Sequence, residues 1–388
     1  MRPLRLIFWE TTRACNLECP HCRASAIKTR LPEELATQEA KRFIDSAASF
    51  SEPEGHGAAS HSRSHKPILV FSGGEALLRE DIFELIEYAS ESGLKPTLAS
   101  NASLITPETA LKLKQSGIRL IAVSLYGSNA QAHDTFCGQT GALEKSLQGI
   151  RNLKAAGLSL QINTTITKKN LGELEAIGKF ALELGAKSYH IFFLVPVGRG
   201  LGMEGDEITP QEYEDAFNRL YDFKSKFPIH IKPTCAPHYY RVARQREAHL
   251  EQSLRGVLPK ADGCEAKPKQ TRSLMRFLAS LGTGSAIPKE IASLPSVARN
   301  DSSAEQSYHE MTKGCLAGQG VCFISYRGEV FGCGYLPVTA GDLRKQDFKT
   351  IWFESELFKT LRDESKLKGR CGICEFKKVC SGCRSRAY

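Results

Sequence analysis

The sequence predicts an α/β protein, built as a partial (β/α)6 barrel of the TIM-like type with a small cysteine-rich domain after it. Six apolar runs rich in β-branched residues alternate with segments of helical periodicity, which indicates a parallel sheet with crossover helices. Six such units are fewer than the eight of a closed barrel, so we expect the barrel to be open. Seven cysteines between residues 315 and 383 mark the second domain.

The six predicted strands lie in the first half of the chain. Their ranges are Arg5–Trp9, Ile68–Phe71, Pro96–Ala99, Arg119–Leu125, Ser159–Thr165 and Tyr189–Val195. Between them, Glu80–Ser92 and Pro107–Ser116 have clear helical periodicity, and Thr106 with Pro107 supplies an N-cap and a first turn for the second of these helices. These units assign residues 1–205 to the barrel.

The segment 51–66 (SEPEGHGAASHSRSHK) interrupts this pattern. It has no apolar period and is rich in Ser, Gly and His, which predicts a mobile insertion before the second strand. Its histidines, His56, His61 and His65, could bind a metal, but a solvated loop explains them as well.

The region after the barrel divides into two parts. Residues 206–310 contain one predicted helix, Ile208–Phe227, followed by mixed sequence with several Gly, Ser and Pro breaks. We expect this part to bridge two domains or to cover the site. Residues 311–388 form the predicted cysteine-rich domain.

Thirteen cysteines are the outstanding feature of the composition. No signal peptide is recognisable, and no apolar run approaches the roughly 18–20 residues of a membrane span. The sequence therefore predicts a cytoplasmic protein with reduced thiols, in which closely spaced cysteines indicate metal rather than disulfides. The net charge of +9 is scattered along the chain, so we expect no nucleic-acid or membrane partner, whereas an anionic small substrate fits.

Cys15, Cys19 and Cys22 follow the first predicted strand with the spacing Cys-x3-Cys-x2-Cys. Three thiolates can hold three irons of a 4Fe–4S cubane, and the usual fourth cysteine is missing locally. One iron is then free to take a substrate, as in metal sites that keep an open position. A structural zinc, or an ordinary cluster completed by a distant cysteine, is the alternative.

Ser72, Gly73, Gly74 and Glu75 follow the second predicted strand. The two glycines allow close backbone approach to a ligand and let N–H groups point at an anion, and Glu75 adds a carboxylate. Polar residues also end three later strands: Ser100, Asn101, Ser124, Asn163, Thr164 and Thr165. Because active sites of parallel barrels lie at this rim, the pattern predicts a pocket there.

The cysteine triplet and the Gly-Gly-Glu motif together resemble the radical SAM enzymes over about the first 200 residues. The resemblance implies a catalytic 4Fe–4S cluster on Cys15, Cys19 and Cys22, with S-adenosylmethionine (SAM) at the free iron. The residues that it assigns to SAM binding are Ser72, Gly73, Gly74, Glu75, Asn101, Ser124 and Asn163. By the same resemblance, one electron splits SAM into methionine and a 5′-deoxyadenosyl radical, which removes hydrogen from the substrate.

Two positions depart from the pattern of that family. His21 stands where an aromatic residue is usual, in the cysteine motif. Tyr126 stands where many relatives carry an acidic residue, so a contact of that position with the ribose of SAM is not expected here.

The C-terminal cysteines resemble the SPASM domain, an iron–sulfur module that many radical SAM enzymes carry. By that resemblance, Cys315, Cys322, Cys333 and Cys383 hold one auxiliary 4Fe–4S cluster. Cys371, Cys374 and Cys380 hold a second, whose last ligand in the family lies downstream of Tyr388, so the sequence is compatible with one or two auxiliary clusters and with a truncated domain. One or two structural zinc sites are the alternative.

Further segments resemble the radical SAM enzymes of alternative haem and haem d1 synthesis. They include WETTRACNLECPHCRA, Phe192–Gly200 and Lys232–Arg246. The resemblance implies a tetrapyrrole substrate, and the best match is the type that decarboxylates two propionates of iron-coproporphyrin to vinyl groups. Arginines pair bidentately with carboxylates and aromatic rings stack, so we predict substrate contacts from His238, Tyr239, Arg241 and Arg244. A basic amphipathic helix on the surface is the alternative.

The main hypothesis is a radical SAM oxidoreductase that abstracts hydrogen from a propionate, with loss of CO2 and of one electron to an auxiliary cluster. It implies an electron donor such as flavodoxin or ferredoxin. A peptide- or protein-maturing radical SAM enzyme and a non-catalytic iron–sulfur or zinc protein are the rivals. Cys235 is either an iron or redox contact or buried packing, and Cys137 and Cys264 are taken as structural.

Overall fold

The computed structural model describes residues 4–50, 66–257 and 314–388. The predicted insertion 51–66, apart from Lys66, lies outside the described residues, and so do its three histidines. Cys264 and most of the second half of the predicted bridging region also lie outside them.

All six predicted strands are present, and neighbouring strands pair in parallel. They are β1 (Leu6–Glu10), β2 (Ile68–Ser72), β3 (Lys95–Ser100), β4 (Leu120–Ser124), β5 (Ser159–Ile166) and β6 (Ser188–Phe193). The α/β class with a parallel sheet is thereby confirmed.

The helices of the barrel part connect these strands. They are α1 (Thr37–Ala48), α2 (Ile82–Glu91), α3 (Pro107–Gln115), α4 (Ala130–Cys137), α5 (Ala142–Ala155), α6 (Leu174–Glu183), α7 (Pro210–Lys226) and α8 (Tyr239–Val257). The start of α3 is set as the sequence predicts, because the Thr106 hydroxyl accepts a hydrogen bond from the Thr109 N–H and Pro107 occupies the first turn. Thr209 and Pro210 repeat this arrangement at α7.

Four more strands extend the sheet beyond the predicted six. They are β7 (His230–Thr234), β8 (Val321–Ile324), β9 (Glu329–Phe331) and β10 (Thr339–Asp342). β7 pairs in parallel with β6, and β8 pairs in parallel with β1, while β9 and β10 form antiparallel pairs. Within the described residues the order is β10-β9-β8-β1-β2-β3-β4-β5-β6-β7, so β7 and β8 are not bonded to each other and the barrel is open.

Side chains alternate across the strands, so that one set packs against the helices and the other set faces the barrel interior. Ile7 and Trp9 of β1 are fully buried in the core between the sheet and the helices. On β5 the intervening positions, such as Asn163 and Thr165, face the inside. The main core therefore lies between sheet and helices, which leaves the barrel interior for ligands.

The cysteine-rich part packs on the barrel through its own short helices. These are α9 (Phe348–Glu354), α10 (Glu356–Arg362), α11 (Gly369–Ile373) and α12 (Lys377–Cys380). The Phe348 ring lies 5.5 Å from the Phe43 ring and 5.4 Å from the Phe50 ring, so α9 shares the core of α1. Of the helices described, none has the length and apolar character needed to cross a membrane.

Candidate active site

A cavity of about 400 Å³ lies in the barrel, and thiols of both predicted cysteine groups line it. Cys15, Cys19 and Cys22 contribute one set. Cys315, Cys333 and Cys383 contribute the other. Of the residues predicted to bind SAM, the cavity is lined by Ser72, Gly73, Gly74, Asn101, Ser124 and Asn163. The structure thus brings most of the predicted site together around one space.

The loop that carries the first cysteines begins where β1 ends and is fixed by its own backbone. The N–H of Cys15 donates to the Ile27 carbonyl at 2.7 Å, and the N–H of Ile27 donates to the Arg13 carbonyl at 2.9 Å. Backbone N–H groups also point at two of the sulfurs, from Leu17 to Cys15 Sγ at 3.4 Å and from Ala26 to Cys22 Sγ at 3.5 Å. Such N–H···S contacts favour thiolate, which is the form that binds iron.

Gly73 and Gly74 pack against the cysteine loop. A Cβ on Gly73 would lie 2.4 Å from the Thr12 carbonyl oxygen, and one on Gly74 would lie 2.3 Å from the Ala14 carbonyl oxygen. The N–H groups of Gly74 and Glu75 donate to those same carbonyls, both at 2.8 Å. The Gly74 N–H is therefore not free to point at an anion, and the two bonds attach the end of β2 to the loop.

Glu75 is buried, and its carboxylate faces the protein rather than the cavity. It accepts hydrogen bonds from the Ser100 hydroxyl at 2.9 and 3.0 Å, from the Asn101 N–H at 2.8 Å and from the Leu77 N–H at 3.3 Å. Burial raises its pKa, while the bonds from Asn101 and Ser100 act against that rise. Glu75 thus fixes the end of β3, and a direct contact with SAM stays a prediction.

Asn101 is tied to the cysteine loop through its amide. Its Nδ2 donates to Asn16 Oδ1 at 2.8 Å, and the Asn16 Nδ2 donates to Ser103 Oγ at 2.7 Å. This network holds the loop between Cys15 and Cys19 against the rim of the sheet.

The segment after β6 closes on the same loop from the other side. Arg199 donates from Nε to the Cys19 carbonyl at 3.0 Å and from Nη1 to the Ala26 carbonyl at 2.5 Å. Gly198 has a φ of +58°, and a Cβ there would lie 2.2 Å from the Arg23 carbonyl oxygen. The Gly-Arg pair of the sequence VGRG therefore has a physical role, which is to clamp the cysteine loop.

Cys137, which we expected to be structural, lies beside the cysteine triplet. The Tyr126 N–H donates to His133 Nδ1 at 3.2 Å, which leaves Nε2–H to face the Cys137 sulfur at 3.4 Å. Cys137 hydrogen-bonds in turn to Cys19 and lowers the pKa of that thiol. Burial lowers the His133 pKa to about 4, so the ring is neutral near pH 7 and keeps this tautomer.

His21 and Tyr126, the two departures from the family pattern, pack against each other. Their ring centroids are 4.5 Å apart, and the Phe136 ring lies 4.6 Å from His21 and 4.8 Å from Tyr126. The three rings cover one side of the cysteine loop and exclude water from it.

Cys322 does not join the other C-terminal cysteines, which corrects the predicted ligand set. It lies in β8 opposite Ile7 of β1, is fully buried and belongs to the core between sheet and helices. Its neighbours in the sequence, Val321 and Phe323, are the residues that line the cavity. The spacing of the cysteines could not reveal this, because a strand turns alternate residues to opposite faces.

Cys371, Cys374 and Cys380 form a second group near the C-terminus. Burial raises the pKa of the Cys380 thiol, and the charges of Cys371 and Cys374 add to that rise. A Cβ on Gly382 would lie 3.1 Å from the Cys371 sulfur, so the chain passes closely over this group. In the ranges that the structure describes, no three His, Cys, Asp or Glu side chains converge as closely as a single metal ion requires. A cubane is larger, because its thiolates bind separate irons.

The residues predicted to contact the substrate do not line the cavity. Arg241 forms an ion pair with Glu214 of α7, and His238 packs on the Tyr213 and Phe217 rings at 5.1 and 4.6 Å. Tyr239 is buried in the core, and Arg244, like the other three, is absent from the cavity lining. Arg241 and Arg246 of α8 instead pair with Glu214 and Asp222 of α7. The predicted substrate contacts are therefore corrected, because the four residues lie away from the cavity.

Three cationic side chains that the sequence did not single out line the cavity: Arg23, Arg199 and Lys232. Arg23 pairs with Glu10 at 3.4 Å, and Arg199 holds the cysteine loop. Lys232 lies on the inner face of β7, and its ammonium has no hydrogen-bond or ion-pair partner among the described residues. Alternation within β7 would have identified it, had the strand been recognised.

Two family models match the chain. That of the Radical SAM superfamily matches residues 9–181, and that of an iron–sulfur cluster-binding domain, SPASM, matches residues 315–384. The AdoMet-dependent heme synthase of Methanosarcina barkeri is 43% identical over 99% of this chain and 92% of that protein. The AdoMet-dependent heme synthase of Nitratidesulfovibrio vulgaris is 39% identical over 99% of this chain and 88% of that protein.

A solved structure, native anSMEcpe with bound AdoMet, has the same fold. It superposes with a TM-score of 0.60 at 17% identity and covers 98% of this chain and 88% of that one. A parallel barrel with three cysteines on its first loop and a cysteine-rich module define a SAM-dependent iron–sulfur enzyme. The chain belongs to the radical SAM superfamily and, within it, to the family of the AdoMet-dependent heme synthases.

The cofactors of this enzyme are accordingly a 4Fe–4S cluster and SAM, with auxiliary iron–sulfur clusters in the C-terminal part. The residues present fit these groups. Three thiols of the first loop face one cavity, and two of them accept N–H···S contacts. Burial raises the Cys15 pKa to about 12, so iron must displace a proton there on binding.

Proposed function

We propose that this protein acts in haem biosynthesis and decarboxylates the propionates of an iron-coproporphyrin oxidatively to vinyl groups. The observation that carries the proposal is the identity of 43% to an AdoMet-dependent heme synthase along 99% of the chain. The substrate is then a flat, aromatic ligand with several carboxylates. The cavity offers both kinds of surface that such a ligand needs, apolar walls and a cation.

Cys15, Cys19 and Cys22 would hold the catalytic cluster, and the rim of β2 to β5 would hold SAM. When bound, the cluster and SAM together supply a carbon radical that abstracts hydrogen. The protein orients the reactants. The close contact of Gly73 and Gly74 with the cysteine loop, where a Cβ would not fit, holds that loop in place. The rings of His21, Tyr126 and Phe136 exclude water beside the loop.

Lys232 would bind a propionate carboxylate. Its ammonium lies inside the barrel, and burial lowers its pKa, so an anion that enters the cavity restores the favourable charge balance. Arg23 and Arg199 add positive potential, although each is already hydrogen-bonded to the protein. The electron donor, flavodoxin or ferredoxin, stays a prediction.

The decisive experiment is an anaerobic turnover assay. The protein is reconstituted with iron and sulfide, reduced with dithionite, and supplied with SAM in the presence or absence of iron-coproporphyrin. We expect 5′-deoxyadenosine together with stepwise loss of the propionates, detected by mass spectrometry. Formation of 5′-deoxyadenosine with no change in the porphyrin would overturn the proposed substrate.

A further inference from the structure

Cys235 brings a fourth thiol to the cavity wall that Cys315, Cys333 and Cys383 form. It directly follows β7, whose last residue Thr234 lines the same cavity. All four cysteines belong to that lining, although they come from four separate places in the chain. Cys322, which the resemblance to SPASM domains assigns to this group, is absent from the cavity lining.

The backbone at Cys235 is in an unusual conformation. Its φ is +58°, in the left-handed region that non-glycine residues rarely adopt. Such positions persist where the surrounding structure fixes them, and they gather at functional sites. Here the conformation accompanies a thiol on the cavity wall immediately after an inward-facing strand residue.

Arg386 links Cys235 to the segment that carries Cys383. Its Nε donates to the Cys235 carbonyl at 3.4 Å, and its Nη2 donates to the Leu194 carbonyl at 2.7 Å. The end of the chain is thus held beside the ends of β6 and β7. This contact explains how a cysteine about eighty residues upstream of Cys315 reaches the same wall.

The four thiols also act on one another electrostatically. Cys235 lies close enough to Cys383, Cys333 and Cys315 for the charges of those thiols to act on it. By contrast, the charged group that acts on the Cys322 thiol is Arg362 rather than another cysteine. Four thiolates on one cavity wall repel one another when no cation is bound, and an iron–sulfur cluster removes that conflict.

We propose that Cys235 is the fourth protein ligand of the auxiliary cluster held by Cys315, Cys333 and Cys383, in the place that the resemblance to SPASM domains gives to Cys322. Four thiolates saturate the irons of a cubane, so this cluster has no open iron for a substrate. The inference goes beyond the proposed function, because it holds whatever substrate the enzyme uses.

The test measures cluster content rather than activity. All proteins carry the background Cys15→Ala, Cys19→Ala and Cys22→Ala, so that iron reports on the C-terminal part. Cys235→Ala is compared with the background protein and with the matched control Cys322→Ala. Iron and labile sulfide per chain are determined after anaerobic reconstitution, and EPR spectra are recorded for oxidised and reduced samples.

We expect Cys322→Ala to keep the iron content and spectrum of the background protein. Cys235→Ala should lose roughly one to four irons per chain, with a three-iron EPR signal where one iron is lost. Equal iron and identical spectra for Cys235→Ala and the background protein would overturn the proposal, and so would a loss confined to Cys322→Ala.

A second variant keeps the test valid if Cys235→Ala does not fold, as judged by circular dichroism of the apo-protein. Cys235→Ser retains the size of the side chain and offers an oxygen ligand. We expect it to keep a cluster whose EPR spectrum is shifted from that of the background protein. An unshifted spectrum at full iron content would contradict direct ligation.

Discussion

Lys232 carries a positive charge inside the barrel, and its ammonium has no hydrogen-bond or ion-pair partner among the described residues. The residue lies on β7 between the inward-facing His230 and Thr234, and it is close enough to Cys235 to feel the charge of that thiol. A buried ammonium is costly unless it is paired. A substrate carboxylate is the partner that the proposed function supplies.

Lys232→Met should weaken binding of iron-coproporphyrin without weakening that of SAM. A hydrogen bond to a charged group contributes about 1.5–3 kcal/mol, which corresponds to a roughly tenfold to hundredfold rise in KM for the porphyrin. The measurement is the KM for each substrate in the anaerobic assay. Lys226→Met, on the exposed end of α7, is the control. Equal KM values for the two variants would exclude Lys232 from substrate binding.

The cysteine loop is held by two neighbouring elements rather than by its own fold. β2 attaches through Gly74 and Glu75, and the segment after β6 attaches through Gly198 and Arg199. Both contacts use glycines because backbone lies against backbone. The position of the loop, and with it the position of its three thiols, therefore requires glycine at these contacts, because a Cβ would collide with the loop backbone.

Gly74→Ala should displace the loop and abolish productive SAM cleavage. The new Cβ would lie 2.3 Å from the Ala14 carbonyl oxygen, and backbone cannot move away as a flexible side chain can. Misplacement of reacting groups by about 1 Å costs roughly 100-fold in rate, so we expect that loss in 5′-deoxyadenosine formation. Gly172→Ala is the control, because a Cβ there meets open space. Equal rates for both variants would contradict this role.

His238, which immediately precedes α8, packs on α7, and this contact should make the protein sensitive to acid. Burial lowers the His238 pKa from 6.5 to about 4, and the charges of Arg386 and Arg241 add to the effect. The neutral ring therefore stabilises the fold fully above pH 6.5, and this stabilisation is lost as the pH falls towards 4. The loss amounts to up to about 3 kcal/mol.

His238→Phe should remove this acid sensitivity, since it keeps an aromatic ring between Tyr213 and Phe217 but does not titrate. The free energy of unfolding, measured with denaturant between pH 6.5 and pH 4, should fall less steeply than in the unchanged protein. His249→Phe alters an exposed residue of α8 and should leave the slope as it was. An unchanged slope in His238→Phe would show that other groups cause the acid loss.

At the scale of the whole molecule, the features that could be predicted from the sequence are those that depend on residues close together in the chain. The six strands are apolar runs of ordinary composition, and the cysteine triplet with Gly-Gly-Glu is a short, specific motif. Strand β7 was not predicted, because its sequence His-Ile-Lys-Pro-Thr turns polar residues to the cavity and therefore lacks the apolar run of the other strands. The exchange of Cys322 for Cys235 in the cavity wall depends on strand register and on the contact of Arg386 with the ends of β6 and β7. The spacing of cysteines along the sequence gives no information about either of these features.

The C-terminal part and the barrel form one continuous sheet, and Arg386 fastens the end of the chain to it. Its guanidinium donates to the Phe193 carbonyl at 3.2 Å and the Leu194 carbonyl at 2.7 Å, pairs with Glu207, and lies 5.2 Å from the centre of the Tyr213 ring. These partners lie at the end of β6 and in or just before α7. One side chain thus couples the position of the last cysteines to that of the cavity.

Arg386→Ala should loosen this attachment. Carbonyl groups and a carboxylate would lose their donor, at a cost of about 1–3 kcal/mol, which lowers the melting temperature of the apo-protein by a few degrees. Arg386→Lys should recover only part of the loss, because an ammonium lacks the fork that reaches several acceptors at once. Arg370→Ala, an exposed position, is the control. Iron release to a chelator should be faster in Arg386→Ala than in the control, since the wall that carries Cys383 would open. Equal melting temperatures and equal release rates in these two variants would mean that the pairing of β8 with β1 and the packing of α9 on α1 hold the two parts together without Arg386.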